Sequence, residues 1–187
     1  WESLEKVILL MQGLMQELRF APFPVVAAPF GLVLGGGFET IGACDKIVAA
    51  SESYIGLVEV GVGLIPGAGG NLRMISRLTK KINTMVPGAF PIVQKAFETI
   101  GFAKVATSAD HAKSIGYLRH NDTVMLNRDF LLRTAKNKAI ELAGDYQAPK
   151  YRDDLKLPGA GGRTALKIAL KGFKVQGKIS EHDMKIG

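Results

Sequence analysis

PVVAAPFGLVLGGGFETIGACDKIVAA, residues 24–50, decides the fold class. It holds two strand candidates, the apolar run of residues 25–28 and KIVAA, residues 46–50, which is apolar after Lys46. Runs without polar alternation read as strands covered on both faces, as parallel strands are. Between them stand Gly35, Gly36 and Gly37, then a short helical turn over residues 38–43. Upstream, Leu4, Val7, Ile8, Met11, Leu14, Met15 and Leu18 recur at three- and four-residue spacings, the apolar stripe of an amphipathic helix expected to lie on a sheet. Pro22 and Pro24 end that helix. The local order is therefore helix, strand, helix, strand, an α/β arrangement with a parallel pair.

Downstream, residues 54–66 are rich in glycine and β-branched side chains and read as an irregular loop that breaks into a helix over residues 69–78. Helices are expected over residues 90–100, 108–115, 127–142 and 164–173, with a polar segment marked by Pro149 and Pro158. The chain divides into an α/β part over residues 1–80 and a helical layer over residues 81–187. PGAGG occurs at residues 66–70 and 158–162, but the flanking residues do not match, so no repeat is implied.

The 187 residues are 47% hydrophobic and 22% charged, ordinary for a globular protein with a real core. The uncharged run between Arg19 and Glu39 is long enough to suggest a membrane span, but its prolines and glycines argue for buried strand and turn. A single cysteine, Cys44, allows no internal disulfide or zinc site, and no signal peptide opens the chain, which suits the cytoplasm. The net charge of +7 is uneven: residues 1–70 carry 3 basic and 7 acidic side chains, and the remainder 21 and 10. Such an excess suits a polyphosphate, an anionic surface or a solvated helical layer. No basic run interleaved with aromatics supports nucleic-acid binding. His111, His120 and His182 lack ligand-spaced neighbours and read as surface residues without a role, and no metal site is expected.

Two carboxylates stand out. Glu39 lies in the first turn of the helix after the three glycines, inside an apolar stretch, where burial and the helix N-terminus exert opposed influences on its proton. Glu59 interrupts GLVEVGVGLIP, residues 56–66, with no other charge between Glu52 and Arg73. Two such carboxylates can share lyase chemistry, one taking a proton from water and the other giving one to carbon. Gly35, Gly36 and Gly37 together offer N–H groups at a helix start for a developing oxyanion, and Gly67, after Pro66, offers another for a water or anion.

Residues 24–78, with PVVAAPFGLVLGGGFE, ACDKIVAA and GLVEVGVGLIPGAGGNLR, resemble the crotonase (enoyl-CoA hydratase/isomerase) superfamily, whose fold is the ClpP/crotonase type. The tail, with KISEHD, further resembles bacterial bifunctional 3-hydroxyacyl-CoA dehydrogenase/enoyl-CoA hydratase proteins that place the crotonase domain last. The resemblance implies hydration of a trans-2-enoyl-CoA to a 3-hydroxyacyl-CoA in fatty-acid β-oxidation, with Glu39 and Glu59 catalytic. It makes Gly36 an oxyanion-hole donor and Gly67 water-orienting, with Phe38, Leu57, Leu64 and Pro66 along the acyl substrate. It also implies a homo-oligomer. Isomerases of the family often keep only the glutamate matching Glu59, so Glu39 favours a hydratase. The family's early strands, its other oxyanion donor and most of its adenine groove have no counterpart before Trp1, so the chain reads as a fragment. An enoyl-CoA isomerase and a catalytically incomplete assembly module are the alternatives. No NAD fingerprint is present, because the third position falls on Thr40 or Pro66, so NAD would belong to another part of a longer protein.

Overall fold

A computed structural model describes residues 1–82, 88–151 and 155–187. The quoted stretch behaves as its pattern requires. Strand β1 (Val26–Ala27) and strand β3 (Lys46–Ala50) pair in parallel, with Val26 opposite Lys46 and Ala27 opposite Ile47. β3 is covered on both sides. Ile47 and Ala49 join the main core with Phe38, Ile55, Leu57, Met74, Leu78 and Tyr117, while Val48 and Ala50 pack with Leu131 and Ala135 on helix α6 (Leu131–Ala143). The period-two split of one apolar run between two clusters is what a doubly buried strand does.

Four strands escape the pattern reading. β2 (Leu32–Leu34), β4 (Tyr54–Gly56), β5 (Val105–Ala106) and β6 (Thr123–Met125) hold two or three residues each, too few for a periodicity to register. Two lie in segments read as loop, and two in the part read as helical. Partners across the sheet define them: β3 lies between β1 and β6, and β4 lies between β2 and β5. Three pairings are joined in parallel besides one antiparallel pair, β4 with β5.

The helices are α1 (Glu2–Arg19), α2 (Gly36–Ala43), α3 (Gly70–Ile82), α4 (Phe90–Gly101), α5 (Ala109–Ile115), α6, α7 (Gly159–Val175) and α8 (Glu181–Ile186). α5 starts at an N-cap, Ser108, whose hydroxyl accepts from His111 N–H at 3.0 Å. The division at residue 80 falls inside α3, and residues 152–154 of the polar segment lie outside the described residues. Among the described residues no helix is long and apolar enough to cross a membrane.

The placement of α1 corrects an expectation. Its stripe does not lie on a sheet: Met15 is its one buried residue, packed with Ala43 and Ala68, while Leu4, Val7 and Leu14 are half exposed. The periodicity is real, but a period identifies an apolar face without naming what covers it. α1 is instead tied to α2 and to the loop ahead of α3, where Gln12 Nε2 donates to Gly67 O at 2.7 Å.

A buried carboxylate joins β3 to the turn before β6. Asp122 is 2% exposed, with Oδ1 accepting Ile47 N–H at 3.1 Å and Oδ2 accepting Arg119 N–H at 2.7 Å. Asp122→Ala leaves one buried and one part-buried donor unpaired and should cost about 3 kcal/mol, lowering Tm by roughly 6–12 °C. Thermal unfolding followed by circular dichroism checks this, and a shift under 2 °C would remove Asp122 from the determinants of the fold.

Candidate active site

α2 begins where Gly35, at φ +55°, turns the chain out of β2. That conformation favours glycine. The turn is fixed from behind, since Gly35 N–H donates to Gly56 O at the end of β4 at 2.8 Å. Glu39 follows in the first turn and is 3% exposed. Its Oε1 accepts two backbone N–H groups, from Ala68 and from Gly70, each at 2.8 Å. Gly70 opens α3, so the carboxylate joins the start of one helix to the start of the next.

The close approach needs a residue without a side chain. A Cβ on Gly70 would stand 2.6 Å from Leu57 Cδ2, so that Leu57 would have to move, and 3.1 Å from Glu39 Oε1, tighter than most real contacts. This use of Gly70 was not legible in sequence, where PGAGG reads only as a helix start.

Glu59 opens a 3-10 turn, Glu59–Val62, and is half-buried. Its Oε1 lies 3.4 Å from where a Cβ on Gly35 would be, so it rests against the turn that starts the helix of Glu39. Its Oε2 is buried without a hydrogen-bond partner. Burial pushes the Glu59 carboxyl above its ordinary range; backbone hydrogen bonds at Glu59 and Val58 oppose the shift, and the charge of Glu39 adds to it. Two residues 20 apart in sequence thus share one electrostatic environment.

The other expected site residues divide. Gly36 is the first residue of α2 and partly exposed, where the amides of a first helical turn have no partner within the helix. Gly67 does not stand at the helix start, as expected: α3 begins three residues later, and the loop amides that serve the site are those of Ala68 and Gly70. Phe38 and Leu57 have no exposed surface and belong to the core beneath the carboxylates. Pro66 is buried, and Leu64 is 61% exposed on the loop after Glu59.

Two residues that hold the site were passed over in the sequence. Tyr117, fully buried, accepts Leu57 N–H at 3.0 Å and donates to Lys104 O at 2.8 Å, fixing the chain two residues ahead of Glu59. Burial pushes its phenol up to about 12, with Glu59 adding to the shift against the Leu57 hydrogen bond, so it stays a donor. Its ring meets Phe38 edge-on at 4.9 Å. A buried tyrosine needs a partner for its hydroxyl, but nothing around GYL names that partner. His182, read as a residue without a role, is exposed yet reaches back to the Glu59 turn, where Nε2 donates to Gly63 O at 2.7 Å. Cys44 is buried as expected, its thiol pushed up to about 11 chiefly by burial.

Known proteins resemble the chain in sequence and in fold. Residues 7–109 match the family model for enoyl-CoA hydratase/isomerase. A probable 3-hydroxyacyl-CoA dehydrogenase of Bacillus subtilis is 43% identical over 182 residues, covering 96% of this chain and 22% of that protein. Human mitochondrial methylglutaconyl-CoA hydratase is 33% identical over 136 residues, covering 73% of this chain and 35% of that one. An enoyl-CoA hydratase from Bacillus anthracis superposes with a TM-score of 0.62 at 29% identity, over 75% of this chain and 48% of that structure. One from Thermoplasma volcanium shares the fold over 98% of this chain and 59% of its own, with a TM-score of 0.59 at 19% identity. The chain therefore spans from about a fifth to about a third of these curated relatives. With its carboxylates set beside a glycine-started helix, and the family model covering more than half its length, the chain belongs to the enoyl-CoA hydratase/isomerase family and has the crotonase fold.

Proposed function

We propose that this chain carries the acid/base half of a hydratase site that adds water across the double bond of a trans-2-enoyl-CoA, giving a 3-hydroxyacyl-CoA. The observation that carries this reading is the pair of carboxylates near enough to interact, with Glu39 Oε1 held by two amides and Glu59 set against the turn at Gly35 with its Oε2 buried and unpaired. Hydration requires one group to receive a proton from water as its oxygen attacks the β-carbon, and another to deliver a proton to the α-carbon. Glu39, oriented through Oε1, serves as the acceptor. Glu59, whose carboxyl is raised by burial and by Glu39, keeps a proton to higher pH and serves as the donor.

Charge that builds on the thioester oxygen during attack falls to Gly36 N–H, at the positive end of α2. The rigid core under the pair, Phe38 and Leu57 with Tyr117, keeps both carboxylates from relaxing away. Leu64 and Pro66, on the loop after Glu59, line the acyl path, and Gly67 N–H helps hold the attacking water. Protons and water alone move in this reaction, so its chemistry calls for neither NAD nor a metal. The match to 22% of a protein named as a probable 3-hydroxyacyl-CoA dehydrogenase supports placement as the crotonase part of a longer, two-activity chain; we extend the proposal to service in β-oxidation as a homo-oligomer in the cytoplasm. A family isomerase needs only one such carboxylate, and the preserved pair favours hydration.

Loss of enoyl absorbance from crotonyl-CoA tests the reading, in this chain and in one extended by the family's N-terminal strands. Glu39→Gln or Glu59→Gln in the active version should lower kcat by about 10²- to 10⁴-fold. Turnover that survives both changes, or a product with a moved double bond and no added water, sinks it.

Glu59 also fixes a pH dependence of stability. Its folded-state pKa lies above its ordinary 4.5, so the folded chain holds the proton more tightly than the unfolded chain. The contribution is full below 4.5 and is lost as pH rises through the raised value. Urea unfolding of the parent minus that of Glu59→Gln should give a difference that declines across this window; a flat or rising difference contradicts it. Gly70→Ala should lower activity at least tenfold by displacing Glu39, since a one-ångström misplacement costs about a hundredfold, with the carboxyl resonance of Glu39 shifted in NMR spectra. An unshifted resonance would show that Gly70 is spare.

A further inference from the structure

A cavity of about 770 Å³ opens between α3, the end of α2 and the segment after α5, and neither Glu39 nor Glu59 lines it. Six arginine and lysine side chains face it, against the aspartates Asp45 and Asp110. Three of them, Arg73, Arg77 and Lys80, follow at i, i+4 and i+7 on α3 and share one helix face. Like charges at this spacing oppose the helix. Asp45 does little to balance them, since it accepts from Val25 N–H and Tyr146 Oη, each at 2.9 Å, and pairs with Arg19 at 3.7 Å.

Arg77 is the decisive group. It is 7% exposed, its two Nη atoms donate to the carbonyls of Tyr117 and Gly42, and its Nε is buried without an acceptor. Arg73 Nε is buried and unaccepted as well. Among the described residues neither guanidinium forms an ion pair. A buried cation without a counter-charge is strongly unfavourable. Burial with the repulsion of Arg119 pushes Arg77 down to about 9, so it still carries its charge at neutral pH; burial with Arg19 and Arg119 also lowers Arg73. Arg119 is already committed, donating to the carbonyls of Asp45 and Cys44 at 2.8 and 3.1 Å.

We propose that this cavity binds a small diphosphate-bearing molecule, with Arg73 and Arg77 as anchors and Lys80 at the rim. Guanidinium groups match phosphate oxygens in geometry as well as charge. The volume exceeds the need of a single phosphate and falls in the range of nucleotide-sized sites. The site is separate from the carboxylate pair and does not depend on the hydratase reading. It touches the same scaffold, however, because Arg77 stacks over Phe38 at 5.2 Å and holds the Tyr117 carbonyl.

Calorimetric titration of the full chain with sodium pyrophosphate and with ADP tests the proposal. One-to-one saturable binding is expected, weakened at least tenfold by Arg73→Gln and by Lys80→Gln, as loss of a charge-assisted contact implies. Lys171→Gln, on the exposed face of α7, should leave it unchanged. Arg77→Gln can fail to fold, since its fork holds two carbonyls, so the other two variants carry the test, with circular dichroism confirming their fold. A parallel titration with coenzyme A separates the sources. Equal loss of coenzyme A in the variants assigns the site to the nucleotide end of a thioester, and undiminished coenzyme A binding with weakened ADP assigns it to a free nucleotide. No saturable binding by the parent chain, or equal affinity in parent and variants, overturns the proposal. So does a discrete oligomer that Arg73→Glu dissociates in the absence of any anion binding, which makes the cavity a contact between copies.

Discussion

Glu39 Oε1 receives the amides of Ala68 and Gly70 at 2.8 Å each, and the geometry around the carboxylates follows from that pair of bonds. They fasten the first turn of α2 to the first turn of α3. They also constrain residue 70, where a methyl group would push Leu57 aside and crowd Glu39. Leu57 is in turn held by Tyr117, whose hydroxyl bridges Leu57 N–H and Lys104 O. The position of Glu59, two residues on, is therefore set by the same core that holds Glu39. A buried carboxylate satisfied by backbone donors is stable only where the backbone is itself fixed, and here both donors lie where a loop enters a helix.

The core beneath the site is not purely apolar. Arg77 lies over Phe38, Phe38 meets Tyr117, and the guanidinium of Arg77 holds the carbonyl of Tyr117. Hydrogen bonds inside a low-dielectric core are strong when complete and costly when broken. This network runs between the carboxylate pair and the basic cavity, so the two share a supporting structure while using different faces of it. The C-terminal part contributes as well, through His182 on α8 at the Glu59 turn. The helical layer is thus joined to the site by a specific contact.

The sequence by itself determined the α/β class, the parallel pairing of β1 with β3, and the burial of β3 on both faces. Each rests on a local property, the apolar runs of residues 25–28 and 47–50. It also singled out Glu39 and Glu59, because a charge inside a long apolar stretch stands out without knowledge of the fold, and the resemblance over residues 24–78 led to the family that residues 7–109 match. Only the tertiary structure decided the rest. Strands of two or three residues exist through partners distant in sequence, so β2, β4, β5 and β6 left no periodic trace. The apolar stripe of α1 gave a face but not its cover, and it stands largely exposed. The amides of Ala68 and Gly70 were not singled out, because a sequence shows which amides stand near a helix start but not which of them point at a carboxylate. The same holds for Tyr117, whose hydroxyl partners lie 60 and 13 residues away: hydrogen bonds depend on distance and angle, and neither is fixed until the chain has folded.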